Sequence, residues 1–290
     1  MKTILLCSDG SSFADTIYRY GAWFSNQFQA QLKVLYVTDI RSQQVVSTGN
    51  FSGSIGLGAA ESLLTELVNL EHEKAKLNNK RARLILNYAE ERLKAEGVET
   101  VEMINKTGFL VDCFHEFEET ADLVVLGKRG EAATFASGHL GANVDRIIRS
   151  SSKPCLVTPL TFVPLERLLV AYDGSPTGQK LLAFLAQASG LHGLGIHLVM
   201  VAKSEADARS DQKKQERDAA VETLKSAGLD PVVHIIVGDP EQVISQYVEQ
   251  QQISLLLMGA YGHRRIRHLV IGSTTEQLLR TAQIPVLLFR

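Results

Sequence analysis

The sequence has few cysteines, and none of them lies in a paired arrangement. Cys7, Cys113 and Cys155 are isolated and odd in number, and no Cys-x-x-Cys spacing occurs. This pattern speaks against a disulfide framework and against a cysteine-based zinc site. We expect the three thiols to pack as small residues in a reduced interior.

Long apolar runs and an excess of charge of one sign are also absent. No stretch approaches the ~18 apolar residues of a membrane span. Met1-Lys2-Thr3 leads directly into an apolar run that Asp9 interrupts, which does not resemble a signal peptide. The net charge of −2 provides no basic field for nucleic acid or for an anionic membrane. We therefore expect a soluble, cytoplasmic protein without either partner.

The second half of the chain repeats the first. Residues 4–9 read ILLCSD before Gly10-Ser11, and residues 168–173 read LLVAYD before Gly174-Ser175. Each half then carries a strand, a glycine pair and a short helix that ends near a proline. The repeat has the length of a domain, so it predicts two domains, residues 1–160 and 161–290. A short linker over residues 159–165 predicts that they lie against each other.

Short apolar runs alternate with amphipathic segments in both halves. Nearly continuous Val, Leu and Ile are typical of strands that are buried on both faces of a parallel sheet. The predicted strands are 3–8, 32–38, 99–105, 122–127 and 154–158, then 167–172, 195–202, 231–237, 254–258 and 285–289. The predicted helices are 12–28, 59–96, 111–120 and 143–150, then 177–189, 205–227, 240–250 and 274–281. The fold class is therefore α/β, with two tandem, doubly wound, five-stranded parallel-sheet domains that are Rossmann-like.

The first half is longer, mainly between its second and third strands. A glycine-rich segment over residues 49–58 could form a phosphate loop, but it has neither the G-x-G-x-x-G spacing nor a Lys-Ser ending, so we interpret it as an excursion. The long predicted helix that follows carries large apolar residues at roughly helical spacing. They are Leu63, Leu67, Leu70, Leu77, Leu84 and Tyr88.

The motif that suggests chemistry is a pair of glycines near the end of the second half. Gly259-Ala-Tyr-Gly262 ends the fourth strand, and Gly272-Ser273 opens the last helix. Glycines allow backbone N–H groups to approach an anion, and a helix N-terminus attracts negative charge. Arg264 and its basic neighbours between the glycines suit a polyphosphate. The same residues also permit a simple turn, a solvated loop and a capping box over residues 273–276.

Asp173 ends the first strand of the second half at the same predicted edge of the sheet. Its carboxylate could accept a hydrogen bond from a ribose hydroxyl or hold a hydrated Mg²⁺. It could equally cap the helix that begins near Ser175-Pro176. Val201, at the end of the next strand, could offer its backbone to an adenine or could simply be a buried strand residue.

The combination of Asp173 with Gly259, Gly262, Gly272 and Ser273 resembles the universal stress protein family over the whole chain. The resemblance implies an adenine nucleotide alpha hydrolase-like fold and binding of ATP or AMP with Mg²⁺. It implies that Asp173 faces the ribose and Val201 the adenine. It also implies that the glycines and Ser273 hold the phosphates, with Thr274 as a weaker candidate. Family members of this type pair through their last strands.

The first half departs from this pattern. Gly127-Lys-Arg-Gly130 is present, and Asp9 and Val37 stand at matching places, but Gly141 is followed by Ala142 and the loop carries Glu131. The hydroxyl donor is lost, and an acid beside phosphates is repulsive. We expect nucleotide binding in the second half, with a weaker or empty first site.

Three functions remain open from the sequence. The first is an adenine-nucleotide-binding regulatory protein of the stress response. The second is a slow ATPase, although no Walker A motif or catalytic triad is evident and His139 and His263 are lone loop histidines. The third is an interaction scaffold that needs no nucleotide. We also expect an intrachain pseudo-dimer through the last strand of each half, and the long helix offers a route to a further homodimer. No protein partner can be named.

Overall fold

A single ten-stranded sheet runs through both halves of the chain. The computed structural model describes residues 1–40, 57–130, 140–260 and 272–290, with side chains from residue 63 onwards in the second of these ranges. The strands are β1 (Thr3–Cys7), β2 (Gln31–Asp39), β3 (Val101–Gly108), β4 (Leu123–Gly127), β5 (Cys155–Thr158), β6 (Arg167–Ala171), β7 (Gly195–Ala202), β8 (Val232–Val237), β9 (Leu255–Gly259) and β10 (Val286–Phe289).

Helices connect these strands in both halves. In the first half they are α1 (Ala14–Phe28), α2 (Leu57–Ala95), α3 (Leu110–Glu118) and α4 (Ala142–Ser150). In the second half they are α5 (Pro176–Gln187), α6 (Glu205–Ala208), α7 (Asp211–Ser226), α8 (Pro240–Gln250) and α9 (Ser273–Thr281), with a short 3₁₀ helix, Ser189–Leu191, after α5.

The strand order confirms the predicted fold class. The sheet runs β3-β2-β1-β4-β5-β10-β9-β6-β7-β8, with parallel pairing within each half. In each half the chain moves outwards from its first strand, returns to the other side of it and finishes at the centre of the sheet. This reversal is the doubly wound pattern, and it places a switch in strand order beside β1 and beside β6.

Alternating side chains of the strands form one apolar layer on each face of the sheet. On one face, Ile4 and Leu6 belong to a core that includes residues of α1, α5, α7 and the second part of α2. On the other face, Leu5 belongs to a core with residues of α3, α4, α8 and α9. Both cores continue through the two halves, so the domains share their apolar interior as well as their sheet.

The two halves meet where β5 and β10 pair antiparallel, and Leu156 lies opposite Leu287. Both leucines are completely buried. One cation from each half reinforces the contact. Lys128 Nζ of the first half donates to the Ala282 carbonyl at 3.0 Å. Arg290 Nη1 of the second half donates to the carbonyls of Arg149 and Ser151, each at 3.0 Å. These carbonyls lie in or just beyond the C-terminal turns of α9 and α4, where positive charge is favourable.

One predicted helix proved wrong in its extent. Residues 205–227 form two helices, α6 and α7, because Ser210 begins a new helix. The Ser210 hydroxyl oxygen accepts from the backbone N–H of Lys213 at 3.2 Å, as an N-cap does. Asp239 caps α8 in the same way, accepting from the backbone N–H groups of Glu241 and Gln242.

The three cysteines are free thiols, and Cys155 is buried whereas Cys7 and Cys113 are partly exposed, so the expected interior packing is complete only for Cys155. Burial raises the pKa of the Cys155 thiol to about 12 and also raises the pKa of Cys7. Both thiols therefore stay protonated at neutral pH and behave as small apolar groups. In the part of the chain with an assigned conformation, no helix combines the length and the hydropathy needed to cross a bilayer.

The pairing of β5 with β10 predicts a crosslink within one chain. Replacing Leu156 and Leu287 by cysteine, in a background without the native thiols, should give an intramolecular disulfide on oxidation. Directly opposed residues of an antiparallel pair have Cα atoms about 4.5–5.5 Å apart, within the range of a disulfide. Peptide mass spectrometry would identify the bond. Leu156→Cys with Leu257→Cys is the matched control, because β9 lies two strands away from β5. Crosslinks only between chains would contradict this arrangement.

Candidate functional site

The candidate site lies at the carboxyl edge of the second half, where the strand order reverses. β6 has β9 on one side and β7 on the other, and Ala171 of β6 pairs with Met258 of β9. Asp173 and Gly259 follow these two residues closely, so they emerge side by side at the switch point. Crevices at such points are the usual ligand sites of open α/β sheets.

Val201 completes the row along this edge. Ala171 also pairs with Val199, which places Val201 of β7 at the level of Asp173. Val201 is partly exposed, whereas its neighbour Ala202 is fully buried. The structure thus brings together three of the residues singled out from the sequence: Asp173, Val201 and Gly259.

The Asp173 carboxylate is held by the turn that follows β6. Its Oδ1 accepts from the backbone N–H of Ser175 at 2.9 Å, and Gly174 takes a positive φ of +77° that favours glycine. The alternative that Asp173 caps α5 is wrong, because Ser175 is the cap. The Ser175 hydroxyl oxygen accepts from the N–H of Gly178 at 3.1 Å. Asp173 is therefore not required to begin the helix.

The N-terminus of α9 forms the other wall of the site. Gly272 is the N-cap residue, and its N–H donates to the Ala260 carbonyl at 3.2 Å, which ties the helix start to the end of β9. The first N–H groups of an α-helix have no acceptor within the helix, and glycine has no side chain that could accept from them. The positive end of α9 thus lies next to the end of β9.

The alternative that residues 273–276 form a capping box is wrong, because the N-cap residue is Gly272 and no side chain caps the helix. Ser273 is the first helical residue and not the N-cap, so it is an exposed hydroxyl at the helix start. Thr274, which is partly exposed, follows it. The sequence reasoning missed Thr275, whose buried hydroxyl donates to the Gly259 carbonyl at 3.2 Å. That bond fixes the helix start against the strand end.

Several predicted residues lie outside the described residues. They include Gly262, Arg264 and His263 in the second half, Glu131 and His139 in the first, and residues 49–56 of the glycine-rich segment.

In the first half, the residues that correspond to Asp173, Gly262 and Gly272 are all described, and they lie close together. Asp9 repeats the turn of Asp173, since its Oδ1 accepts from the N–H of Ser11 at 3.0 Å. A Cβ atom added to Gly130 would collide with Asp9 Oδ2, so the second glycine of the pair lies directly against this carboxylate. Gly141 caps α4 and donates to the Lys128 carbonyl at 3.2 Å, as Gly272 does to Ala260. The backbone frame of the site is therefore present in both halves.

The halves differ in the residue after the first glycine. In the second half this residue is Ala260, which is 3% exposed. In the first half it is Lys128, which is 8% exposed and crosses to the C-terminal end of α9. Burial, together with the positive charge of Arg129, lowers the pKa of Lys128 to about 8. Lys128 thus serves the contact between the halves, a role that the sequence analysis missed.

Carboxylates, imidazoles and thiols do not gather into a metal site in the part of the chain that the structure describes: no group of three or more could hold an ion there. Asp173 has a second carboxylate nearby, because Glu216 lies against Gly174. One or two carboxylates fit Mg²⁺ that keeps most of its water and is bound mainly through phosphate oxygens. They do not form a cage built from the protein alone.

Comparison with known proteins agrees with the sequence resemblance. The profile of the universal stress protein family matches residues 1–159 and again residues 164–290. The universal stress protein Slr1230 of Synechocystis sp. is 52% identical over 290 residues, covering all of both chains. A universal stress protein of Archaeoglobus fulgidus has a similar crystal structure, with a TM-score of 0.71 at 20% identity, covering 99% of this chain and 97% of that one.

The two halves and the site at the switch point define a tandem, doubly wound α/β protein. The double match of the profile and the identity to the Synechocystis protein establish the family. The chain belongs to the universal stress protein family, as two domains in tandem.

Lys128 predicts a pH dependence of stability. A lysine whose pKa is lowered to about 8 in the folded state binds fewer protons there than in the unfolded chain. The contribution of Lys128 to the free energy of unfolding therefore rises as pH increases from about 8 towards 10.5, by at most about 3 kcal/mol. Lys128→Met should remove this rise from the free energy of unfolding, measured by urea denaturation across that range. Lys214→Met, at an exposed lysine of α7, should keep it. Equal pH dependence of the wild type and Lys128→Met would contradict the assignment.

Proposed function

We propose that the second half binds an adenine nucleotide at the carboxyl edge of β6 and β9. One observation carries the proposal: Asp173, the end of β9 and the N-terminus of α9 meet at the switch in strand order. Phosphate would lie on the helix start and the glycine pair. The ribose would meet Asp173, and the adenine would meet the backbone at Val201.

The helix start supports the phosphate end of this proposal. Gly272 leaves the first N–H groups of α9 without a side-chain cap, and Ser273 presents a hydroxyl in the same place. The helix dipole favours an anion at such a position by about 0.3–1 kcal/mol, and by up to ~2 kcal/mol where the geometry is partly buried. Gly262, Arg264 and Thr274 belong to the proposal as further phosphate contacts.

Asp173 supports the sugar end. A carboxylate repels phosphate unless a cation lies between them, whereas it accepts readily from a ribose hydroxyl. Asp173 can serve both purposes, with a ribose hydroxyl as one partner and the water shell of Mg²⁺ as the other. ATP or AMP is therefore the proposed ligand, with Mg²⁺ where the phosphate chain is long enough to bind it.

The proposed function is regulatory, as a cytoplasmic stress-response protein. A nucleotide that binds one conformation or assembly better than another shifts the equilibrium by the difference in its affinities. Domain boundaries of 1–160 and 161–290 would give each half one copy of the site frame, with the intact motif in the second.

We predict about one tight site for Mg-ATP in each chain. The reason is that Ser273 in the second half stands where the first half has Ala142, and Arg264 follows Gly262 in a segment whose counterpart after Gly130 carries Glu131. Titration calorimetry measures the number of sites directly. Two equal sites would contradict the asymmetry but would leave nucleotide binding itself intact.

Replacing Gly262 by valine should weaken ATP binding by about tenfold or more, the equivalent of one lost charge-assisted hydrogen bond of ~1.5–3 kcal/mol. The β-branched side chain would stand between the backbone and the phosphate. Gly130→Val is the matched control at the corresponding glycine of the first half, and it should leave the tight site unchanged. Thermal unfolding of both variants shows whether they remain folded. If Gly262→Val binds ATP as tightly as the wild type, the glycine pair does not hold the phosphates.

A further inference from the structure

Between residues 63 and 81, α2 buries none of its side chains. Every residue from 63 to 81 is partly or fully exposed, and the first buried residue of the helix is Ala82. From there Ala82, Leu86, Ala89 and Leu93 pack on the sheet. About five turns of helix thus extend beyond the body of the protein. An isolated helix of that length is marginal in water, so packing on its exposed face would stabilise it.

The extended segment carries an unusual set of exposed leucines. Leu70, Leu77 and Leu84 recur every seven residues and are 60%, 66% and 62% exposed. Leu63 stands one heptad earlier and is partly exposed. The positions between these leucines continue the stripe in steps of three and four. They are occupied by Leu67, Lys74, Arg81 and Tyr88.

This stripe has the heptad spacing of a two-stranded coiled coil. The leucines at 63, 70, 77 and 84 occupy the d positions, and residues 67, 74, 81 and 88 occupy the a positions. Exposed Leu64 lies at the flank of the seam, and exposed Val68 lies outside it. From Leu63 to Tyr88 the seam spans nearly four heptads, and Leu67 and Leu84 make its outer a and d positions apolar. This is long enough for a specific helix pair.

The stripe points mostly away from the protein's own core, and at its C-terminal end the Tyr88 ring contacts the buried Tyr18 ring edge-on. On a helical wheel, the face of Ala82, Leu86, Ala89 and Leu93 lies about 120° from the mean direction of the a/d stripe. The same helix can therefore pack on the sheet with one face and receive a second helix on the other. Even Leu84 and Tyr88, beside the turn of residues 10–12, remain 62% and 50% exposed.

We propose that the stripe is a homodimer interface, in which α2 of two copies forms an antiparallel two-stranded coiled coil. The charged a positions decide the orientation. In a parallel pair, Lys74 would face its own copy in the seam, and so would Arg81, which places like charges together in two layers. In an antiparallel pair, a positions face d positions. Lys74 then packs on Leu77 of the second copy, and Arg81 packs on Leu70.

The other layers and the flanks agree with this register. Leu67 would pack on Leu84 of the second copy, and Leu63 on Tyr88. On one flank Glu73 would face Lys80, an attractive pair that the two-fold axis produces twice. On the other flank Leu64 would face Ile85. The parallel register would instead oppose Glu66 to Glu71, a repulsive pair. Charge complementarity therefore selects a second copy, in one orientation, as the occupant of this face.

The first test introduces one lysine into the seam and one outside it. Leu77→Lys places a cation against Lys74 of the second copy twice in each dimer, and it should weaken self-association of the full chain by about a hundredfold or more. Asn79→Lys adds the same charge on the opposite face of α2 and should leave the dimer unchanged. Sedimentation velocity over a concentration series measures both. Since residues 77 and 79 lie outside the core, circular dichroism should show both variants folded.

The second test addresses orientation by exchanging charges. Glu73→Lys and Lys80→Glu should each weaken the dimer by about tenfold. The double exchange should restore it, because only the antiparallel register brings these two positions together. A wild-type chain that stays monomeric overturns the proposal. Equal loss in Leu77→Lys and Asn79→Lys also overturns it, and so does a double exchange without recovery. None of these readouts requires nucleotide, so they are independent of the proposed function.

Discussion

The antiparallel pairing of β5 with β10 is the interaction on which the rest of the structure depends. Each half alone would leave a short, apolar edge strand with unpaired N–H and C=O groups, and such edges associate with other chains. Pairing them satisfies both edges and buries Leu156 and Leu287 completely. It also turns two five-stranded sheets into one, so that both apolar cores continue across the junction.

The same pairing fixes where ligands could bind. Because the halves are joined antiparallel, the carboxyl ends of their strands lie at opposite edges of the combined sheet. The frame around Asp9 and the frame around Asp173 therefore face opposite directions, and no single small ligand can contact both. Any influence of one site on the other has to pass through the packed junction, where Lys128 and Arg290 hold the helix ends.

Most of the fold could be predicted because both faces of the sheet are buried. Strands of that kind are continuous apolar runs, and their ends stand out where a glycine, an aspartate or a proline interrupts the run. The error at residues 205–227 arose because Ser210 is compatible with a helix in its sequence context, and only its hydrogen bond to Lys213 makes it a new start. The amphipathic pattern on either side is the same, so periodicity could not reveal the break.

The site was predictable where it depends on strand ends and not where it depends on single hydrogen bonds. Asp173 and Gly259 follow apolar runs directly, and the topology of a doubly wound sheet brings such ends together. The helix start at Ser273 could be placed only to within one residue, and that residue decides whether Ser273 caps the helix or is its first member. The hydrogen bond of Lys128 could not be predicted from the sequence, because its acceptor lies 154 residues away.

Duplication explains why the two halves can differ in this way. One copy of a site frame is enough to bind one ligand, which leaves the second copy free to change. In the first half, the position that corresponds to Ala260 carries Lys128, whose buried side chain joins the two domains. The longer connection between β2 and β3 of the first half carries α2, whose seam faces mostly away from the core. The first half thus provides Lys128 to the contact between the domains and carries the exposed leucines of α2, and the second half retains the glycine and serine pattern at the switch point. Variation in the first half can alter that contact or the exposed face of α2 without disturbing the residues proposed to hold a ligand in the second.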